Sequence, residues 1–303
     1  MNIKSEIEVR GKIWFHSMNC LFSEFEKQGI AYALLKGESL SFYAYGEFGR
    51  RVSNDVDLLV NKVDLSIIDG IMAKCGFSQQ LDGFEKVTRA DVIATVMNSH
   101  QTVTYKKRIM PYNMLLEIDI NFSLMWGEIE LNILDVTEFL SNTVSMEIYG
   151  ENVAVLSARY AFIQVLLHHY KDCNSIFVLY TREPFILSRL EEVYLFWKRN
   201  YECISDDWLY EFSARNHILG YVFYMLYYTN EVYPDSDLKR YVNRLRTDEG
   251  DYLLNCFGLN AKERRQWNCT FQERLHSDDI SRLLEPQLTD EDRKKINFNL
   301  KLF

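Results

Sequence analysis

Proline and glycine are scarce, four and thirteen in 303 residues. That excludes a collagen-like or Pro/Gly-rich disordered chain and leaves room for long helices. The cysteines (Cys20, Cys75, Cys173, Cys203, Cys256 and Cys269) include no C-x-x-C pair, which argues against a zinc knuckle, a redox motif or a compact disulfide scaffold. Most of them are expected to be reduced and to act as small apolar side chains. Positive charge is in deficit: 34 Lys and Arg against 43 Asp and Glu give a formal charge of −9. A global electrostatic grip on nucleic acid is therefore not expected, although a local basic groove is compatible with this balance. No Gly-x-Ser-x-Gly elbow occurs and no cysteine sits in a recognisable catalytic context, so a nucleophile triad finds no support. Long apolar runs are missing as well. The densest, Tyr221 to Tyr228, is too short to span a bilayer, and the opening MNIKSEIEVR carries charge where a signal peptide needs an apolar run. The expected location is the cytoplasm, with no membrane association.

What is present is an ordinary globular balance, 48% hydrophobic and 25% charged, in a chain long enough for two domains. The texture changes near residue 150. Before it, strands and helices alternate. Ile13, Trp14, Met18, Leu21, Phe22 and Phe25 recur at helical spacing and stop at Gly29, which predicts a helix over 5–28. A short strand over 31–35 is broken by Gly37, and a helix resumes over 38–45. DVDLLV at 55–60 reads as a strand, followed by a helix over 64–75 ending at Gly76. Further strands are predicted at 91–97, 101–106, 114–122 and 153–156. The remainder is helical, with Ser157, Thr181 or Ser188, and Ser205 as candidate N-caps. The expected organisation is an α+β domain over 1–150 with a mixed sheet flanked by helices, then an all-helical domain over 151–303.

The chemistry concentrates between Leu34 and Val60. In a strand, alternate side chains share a face, so Asp55 and Asp57 project together while Val56 and Leu58 point the other way. Two carboxylates side by side repel unless a cation offsets them, and hard cations such as Mg²⁺ take oxygen ligands of this kind. Downstream, Glu117 and Asp119 also share one face of a strand. If that strand lies beside DVDLLV, three acids converge, enough to hold two divalent ions for phosphoryl chemistry. Strand geometry allows either Glu117 or Asp119 as the third. Gly37, lacking a side chain, lets backbone N–H groups approach a phosphate at the positive end of the next helix, and Ser39 can add a hydroxyl. Lys36 either contacts phosphate or leaves the strand into water.

The order glycine turn, spacer, Asp-x-Asp and distant Asp resembles the nucleotidyltransferase superfamily that includes DNA polymerase beta. More narrowly, LLKG, then Arg51, then DVDLLV, then Gly76-Phe77 is similar to the branch known as an uncharacterised nucleotidyltransferase family. The resemblance implies a nucleotidyltransferase palm in which Asp55, Asp57 and Asp119 are catalytic and bind metal. It places Gly37 and Ser39 at the triphosphate with Arg51 nearby, and Lys36 is a further candidate for binding the nucleotide. Two departures stand out: Glu38 follows Gly37 where the superfamily usually has Ser or Gly, and Asn121 stands where the branch tends to have His. The implied reaction transfers a nucleoside monophosphate from an NTP such as ATP to a hydroxyl-bearing acceptor with release of pyrophosphate. Two Mg²⁺ ions, or Mn²⁺, would assist, and the helical domain would bind the acceptor: a small molecule, a peptide or tRNA.

Rival readings share some of these residues. A glycosyltransferase also uses Asp-x-Asp to hold a metal on a nucleotide sugar. A catalytically inactive binding module would keep the fold alone. His168 and His169 adjoin an apolar helical face and read as structural, whereas His100 falls near the acidic strand. The basic clusters around Lys106, Arg240 and Arg264 read as solvated surface.

Overall fold

The computed structural model describes residues 3–51, 53–80, 87–125, 134–181 and 185–300. The chain divides into two compact units, the first holding the described residues up to Gln164 and the second those from Val165 onward.

The first unit is α+β. It opens with α1 (Ile3–Gln28), whose Trp14, Phe15, Met18, Leu21, Phe22 and Phe25 are all buried. Their spacing puts them on one stripe, and sealing each against the sheet contributes roughly 1.5–3 kcal/mol. Gly29, at φ 66°, reverses the chain where an L side chain would be strained. There follow β1 (Tyr32–Leu34), α2 (Gly37–Tyr45), β2 (Val56–Val60), α3 (Leu65–Lys74), α4 (Arg89–Asn98), β3 (Tyr105–Ile109), β4 (Met114–Asn121), α5 (Val136–Leu140), β5 (Thr143–Ile148) and β6 (Glu151–Leu156). The six strands form one mixed sheet in the order β3-β4-β2-β1-β6-β5. β1 runs antiparallel to β2 and parallel to β6, and β2 runs parallel to β4. One face of the sheet, including Val56, Leu58, Val60, Ile118, Ile120, Val153 and Val155, joins the apolar stripe of α1 in the core. Strand alternation then turns Asp57, Asp119 and Asn121 to the opposite face.

Three expectations need correction or completion. Residues 91–97 are helical, not extended: they belong to α4, started by a capping box in which Thr88 Oγ1 accepts from Asp91 N and Asp91 Oδ2 accepts from Thr88 N at 2.7 Å. The β-branched run Val92, Ile93, Thr95, Val96 suggested a strand, but Ile93 and Met97 are exposed and the segment has no partner in the sheet. The strand expected at 101–106 begins only at Tyr105; before it, Gln101 forms a single bridge to Asn121. Finally, Cys20 on α1 and Cys75 at the end of α3 form a disulfide, with Cα atoms 5.9 Å apart, while Cys173, Cys203, Cys256 and Cys269 are free thiols.

The division between the units falls within α6 (Ala158–Asn174). The second unit continues with α7 (Ile176–Thr181), α8 (Ile186–Asn200), α9 (Asp206–Arg215), α10 (Leu219–Val232), α11 (Ser236–Leu245), α12 (Asp248–Leu253), α13 (Phe271–Leu275), α14 (Ile280–Leu284) and α15 (Asp290–Asn299). α10 is apolar nearly all round and is accordingly the buried axis, packed by α8, α9, α11 and α12. Ser205 and Asp235 cap α9 and α11. One two-residue ladder, β7 (Cys256–Phe257) with β8 (Arg265–Gln266), interrupts the helices. Among the described residues, no helix is long and apolar enough to cross a membrane.

Candidate functional site

The site is built where β2 and β4 lie side by side. Their parallel register sets Asp57 directly opposite Asp119, with Val56 opposite Ile118 and Leu59 opposite Asn121. Two carboxylates facing one another on a largely closed surface repel, and the Asp119 carboxyl records it. Burial, then the Asp57 charge, pushes its pKa up to about 6 against the partial relief of a hydrogen bond from Thr104. Thr104 Oγ1 donates to Asp119 Oδ1 at 2.5 Å and Gln101 Nε2 to Oδ2 at 3.1 Å, so both oxygens are fixed in direction. Asp57 is held from two sides: Asn121 Nδ2 donates to Oδ1 at 3.2 Å, and Lys36 Nζ lies 2.9 Å from Oδ2. Asp55, half-buried just before β2, accepts from Ser53 Oγ at 3.0 Å, and its charge adds to those raising Asp119. Glu117 shares the strand face of Asp119, but its carboxylate is engaged by Lys106 of the neighbouring β3. Of the two acids, Asp119 faces Asp57 and Glu117 faces an ammonium.

The turn between β1 and α2 approaches the same carboxylates. Lys36 at φ 29° and Gly37 at φ 53° both occupy the left-handed side of backbone space. For Lys36 this costs of order 1–3 kcal/mol, a strain of the kind retained at functional sites. A Cβ built on Gly37 would meet nothing within 4 Å, so the backbone there borders open space. The first turn of α2 has no side-chain cap; Ser39 Oγ instead donates back to the Lys36 carbonyl at 2.8 Å. Gly37, Arg51, Ser53, Asp55 and Asp57 line one cleft, closed behind by Arg10 and Trp14 of α1. Lys36, Gly37, Arg51, Asp55, Asp57 and Asp119 therefore converge, whereas the Ser39 hydroxyl is turned onto the backbone.

Some supporting residues carried no sequence signal. Arg10 Nη2 donates to the Ser53 carbonyl at 2.7 Å, fixing the approach to Asp55. Glu38, which in the sequence stood out only as a departure, is a further support. Its Oε2 accepts from Gly49 N at 2.7 Å and its Oε1 from Tyr149 Oη at 2.9 Å. Burial pushes the Glu38 carboxyl up, and these two donors pull it part of the way back. Tyr149 also packs against Phe48 and Phe15, with ring centroids 5.6 and 5.9 Å away. Glu38 and Tyr149 together pin the 46–51 loop that leads to Arg51.

Among the described residues one other grouping could hold a metal, His168, His169 and Asp172 in the second unit. Arg189 Nε already lies 3.0 Å from Asp172 Oδ2, and the buried His169 faces Glu192 at 2.9 Å. Burial lowers the pKa of His169. Arg189 Nη1 also lies 3.7 Å from Glu192 Oε2, so these groups form one buried cluster of charged and titratable side chains.

The three carboxylates offer oxygen ligands of the hard type that Mg²⁺ or Mn²⁺ takes, and the mutual repulsion recorded at Asp119 is what a cation would relieve. A solved structure similar to this chain is that of an antigenic nucleotidyltransferase-like protein from Paracoccidioides brasiliensis, at 13% identity and a TM-score of 0.37, covering 63% of this chain and 75% of that one. No curated protein matches. A family model described as "Uncharacterised nucleotidyltransferase" matches residues 3–234. On that match, which takes in most of the sequence, the chain belongs to the uncharacterised nucleotidyltransferase family, and a general role in nucleotidyl transfer comes with membership.

Proposed function

We propose that this protein transfers a nucleoside monophosphate from an NTP to a hydroxyl-bearing acceptor and releases pyrophosphate. The observation that carries the reading is the β2–β4 register, which opposes Asp57 to Asp119 beside the open Gly37 turn. Asp55, Asp57 and Asp119 would hold magnesium or manganese. When bound, the ions supply Lewis-acid polarisation of the reacting phosphate and acceptor oxygens and offset charge on the leaving pyrophosphate. The chain's own residues do the rest. Backbone N–H groups at Gly37 and the positive end of α2 receive phosphate oxygens without a side chain intervening. Lys36 and Arg51 bring positive charge to the same polyanion. Gln101 and Thr104 keep Asp119 aimed, and Asn121 keeps Asp57 aimed. Acceptors in keeping with this chemistry are small molecules, peptides and tRNA.

The direct test is Asp57→Asn. The variant keeps an acceptor for the Asn121 amide and should fold with an unchanged circular dichroism spectrum, while transfer of label from an α-³²P NTP falls by at least 10²-fold. A folded variant that transfers label at the wild-type rate refutes the assignment. Wild-type protein should also gain thermal stability from at least one NTP only when Mg²⁺ is present. Under the glycosyltransferase reading, the stabilising ligand would instead be a nucleotide sugar.

A further inference from the structure

The Asp57 carboxylate already has a cation. Lys36 Nζ lies 2.9 Å from Oδ2, and the two side chains are only 16% and 7% exposed. Its other oxygen accepts from Asn121. A divalent ion arriving at Asp57 therefore meets an ammonium on one oxygen and an amide hydrogen on the other. In this partly dehydrated setting, two cations on one carboxylate repel far more than they would in water. The ammonium belongs to the residue immediately before Gly37, and the uncapped first turn of α2 follows directly. A polyanion seated on that turn lies within reach of the same side chain.

Building on the function proposed above, we propose that Lys36 couples cation binding to nucleotide binding: its ammonium occupies Asp57 until a triphosphate draws it away and opens the carboxylate to the metal. Metal alone then binds weakly because it must displace Lys36. Triphosphate alone also binds weakly, because it must take Lys36 from Asp57. Bound together, each removes the other's cost, which is a reciprocal linkage. The paired Lys36 also offsets the Asp57 charge while the site is empty, which weakens the pull on stray cations.

The triphosphate ligates metal itself, so coupling measured with both ligands present does not isolate Lys36. The test uses each ligand alone. Mn²⁺ titrated calorimetrically into nucleotide-free protein should bind at least tenfold tighter to Lys36→Met than to wild type, because the variant keeps the length of the side chain and loses its charge. Conversely, inorganic tripolyphosphate in EDTA should bind at least tenfold tighter to Asp57→Asn than to wild type. In the Lys36→Met background the same Asp57 substitution should change tripolyphosphate affinity less than twofold. Simple repulsion between Asp57 and the polyanion would give the same gain in both backgrounds, and that result overturns the proposal. So does equal Mn²⁺ affinity of wild type and Lys36→Met. Loss of Mn²⁺ binding in Asp119→Asn establishes the carboxylate site independently, so a failed coupling is separable from a failed function. If no variant and no wild-type sample binds Mn²⁺, both fall. Should Lys36→Met not fold, Lys36→Gln replaces it in each arm.

Discussion

Replacing Asp119 with asparagine should make the metal-free protein more stable while destroying its chemistry. Asp119 is 9% exposed, and its pKa rises from 3.8 to about 6. The folded protein therefore holds this proton more tightly than the unfolded chain does. Well below pH 4 both states are protonated and no cost arises; between about pH 4 and 6 the unfolded chain ionises while the folded protein keeps its proton, so stability falls, and above 6 the cost of the crowded charge is present in full. Two pKa units correspond to at most roughly 3 kcal/mol, reached in full near pH 7. Asparagine removes the titration and keeps the geometry: its oxygen accepts from Thr104, and the Gln101 amide turns to offer its oxygen to the new NH₂. Scanning calorimetry of both proteins in EDTA from pH 4 to pH 8 should give matching first transitions at the acidic end. By pH 7 the variant should melt several degrees higher, on the scale of about 2–4 °C per kcal/mol for a unit of this size. Added Mg²⁺ with NTP should then raise the wild type and leave the variant unmoved. Parallel melting curves across the whole pH range would refute the claim that Asp119 is ionised at a cost.

Other perturbations follow from the same geometry. Gly37→Ala puts a Cβ at φ 53° into the open space beside the turn. It should cost about 1 kcal/mol in denaturant titrations and weaken tripolyphosphate binding more than that strain accounts for. Gly11→Ala drives a methyl into the Tyr149 ring; a loss of roughly 1–3 kcal/mol is expected, and an unchanged melting temperature would show that the ring moves freely. Reduction of Cys20–Cys75, which closes a loop of 55 residues in sequence separation, should remove up to about 4 kcal/mol from the first unit, read as a lower first transition in dithiothreitol.

How much of this was legible in the sequence depended on the range of the interaction. α1, the 31–35 strand and DVDLLV follow from local periodicity and from glycines at positions that need positive φ, and all of them stand in the fold within a few residues. The acidic pair was legible because a strand has only two faces. What joins Asp57 to Asp119 was not: the pairing of β2 with β4 spans more than fifty intervening residues, and no turn chemistry specifies it. α4 failed as a strand because β-branched residues weigh toward extension locally, while the Thr88–Asp91 capping box and the lack of any sheet partner settle the outcome. The disulfide was invisible because Cys20 and Cys75 approach only when α1 and α3 pack on the same face of the sheet. Lys36 stood between phosphate and solvent on sequence grounds; its ion pair with Asp57 was not legible, because it depends on β1 and β2 lying side by side.

The departure at position 38 shows how a local mismatch is absorbed by tertiary structure. A carboxylate one residue past the Gly37 turn should repel a triphosphate seated there, and sequence alone counts it against function. The Glu38 side chain, however, runs back to the 46–51 loop, where Gly49 N and Tyr149 Oη occupy its two oxygens. Burial favours its neutral form, and the nearby Arg10 charge offsets what negative charge remains. Arg10 in turn donates to the Ser53 carbonyl, two residues before Asp55. The acid that looks misplaced thus serves as an anchor joining the helix start, the arginine loop and the strand of aspartates. That arrangement makes Glu38→Ser, the substitution that restores the usual superfamily residue, a damaging change: two donors lose their acceptor, and the loop carrying Arg51 loses its tether. The expected readout is a raised KM for NTP with a smaller change in kcat, because the loop positions charge without touching the reacting atoms. A serine variant that matched or exceeded the wild type would mean that Phe48 packing and the Ser41 hydroxyl, which donates to Glu47 O and accepts from Arg50 N, hold the loop without Glu38.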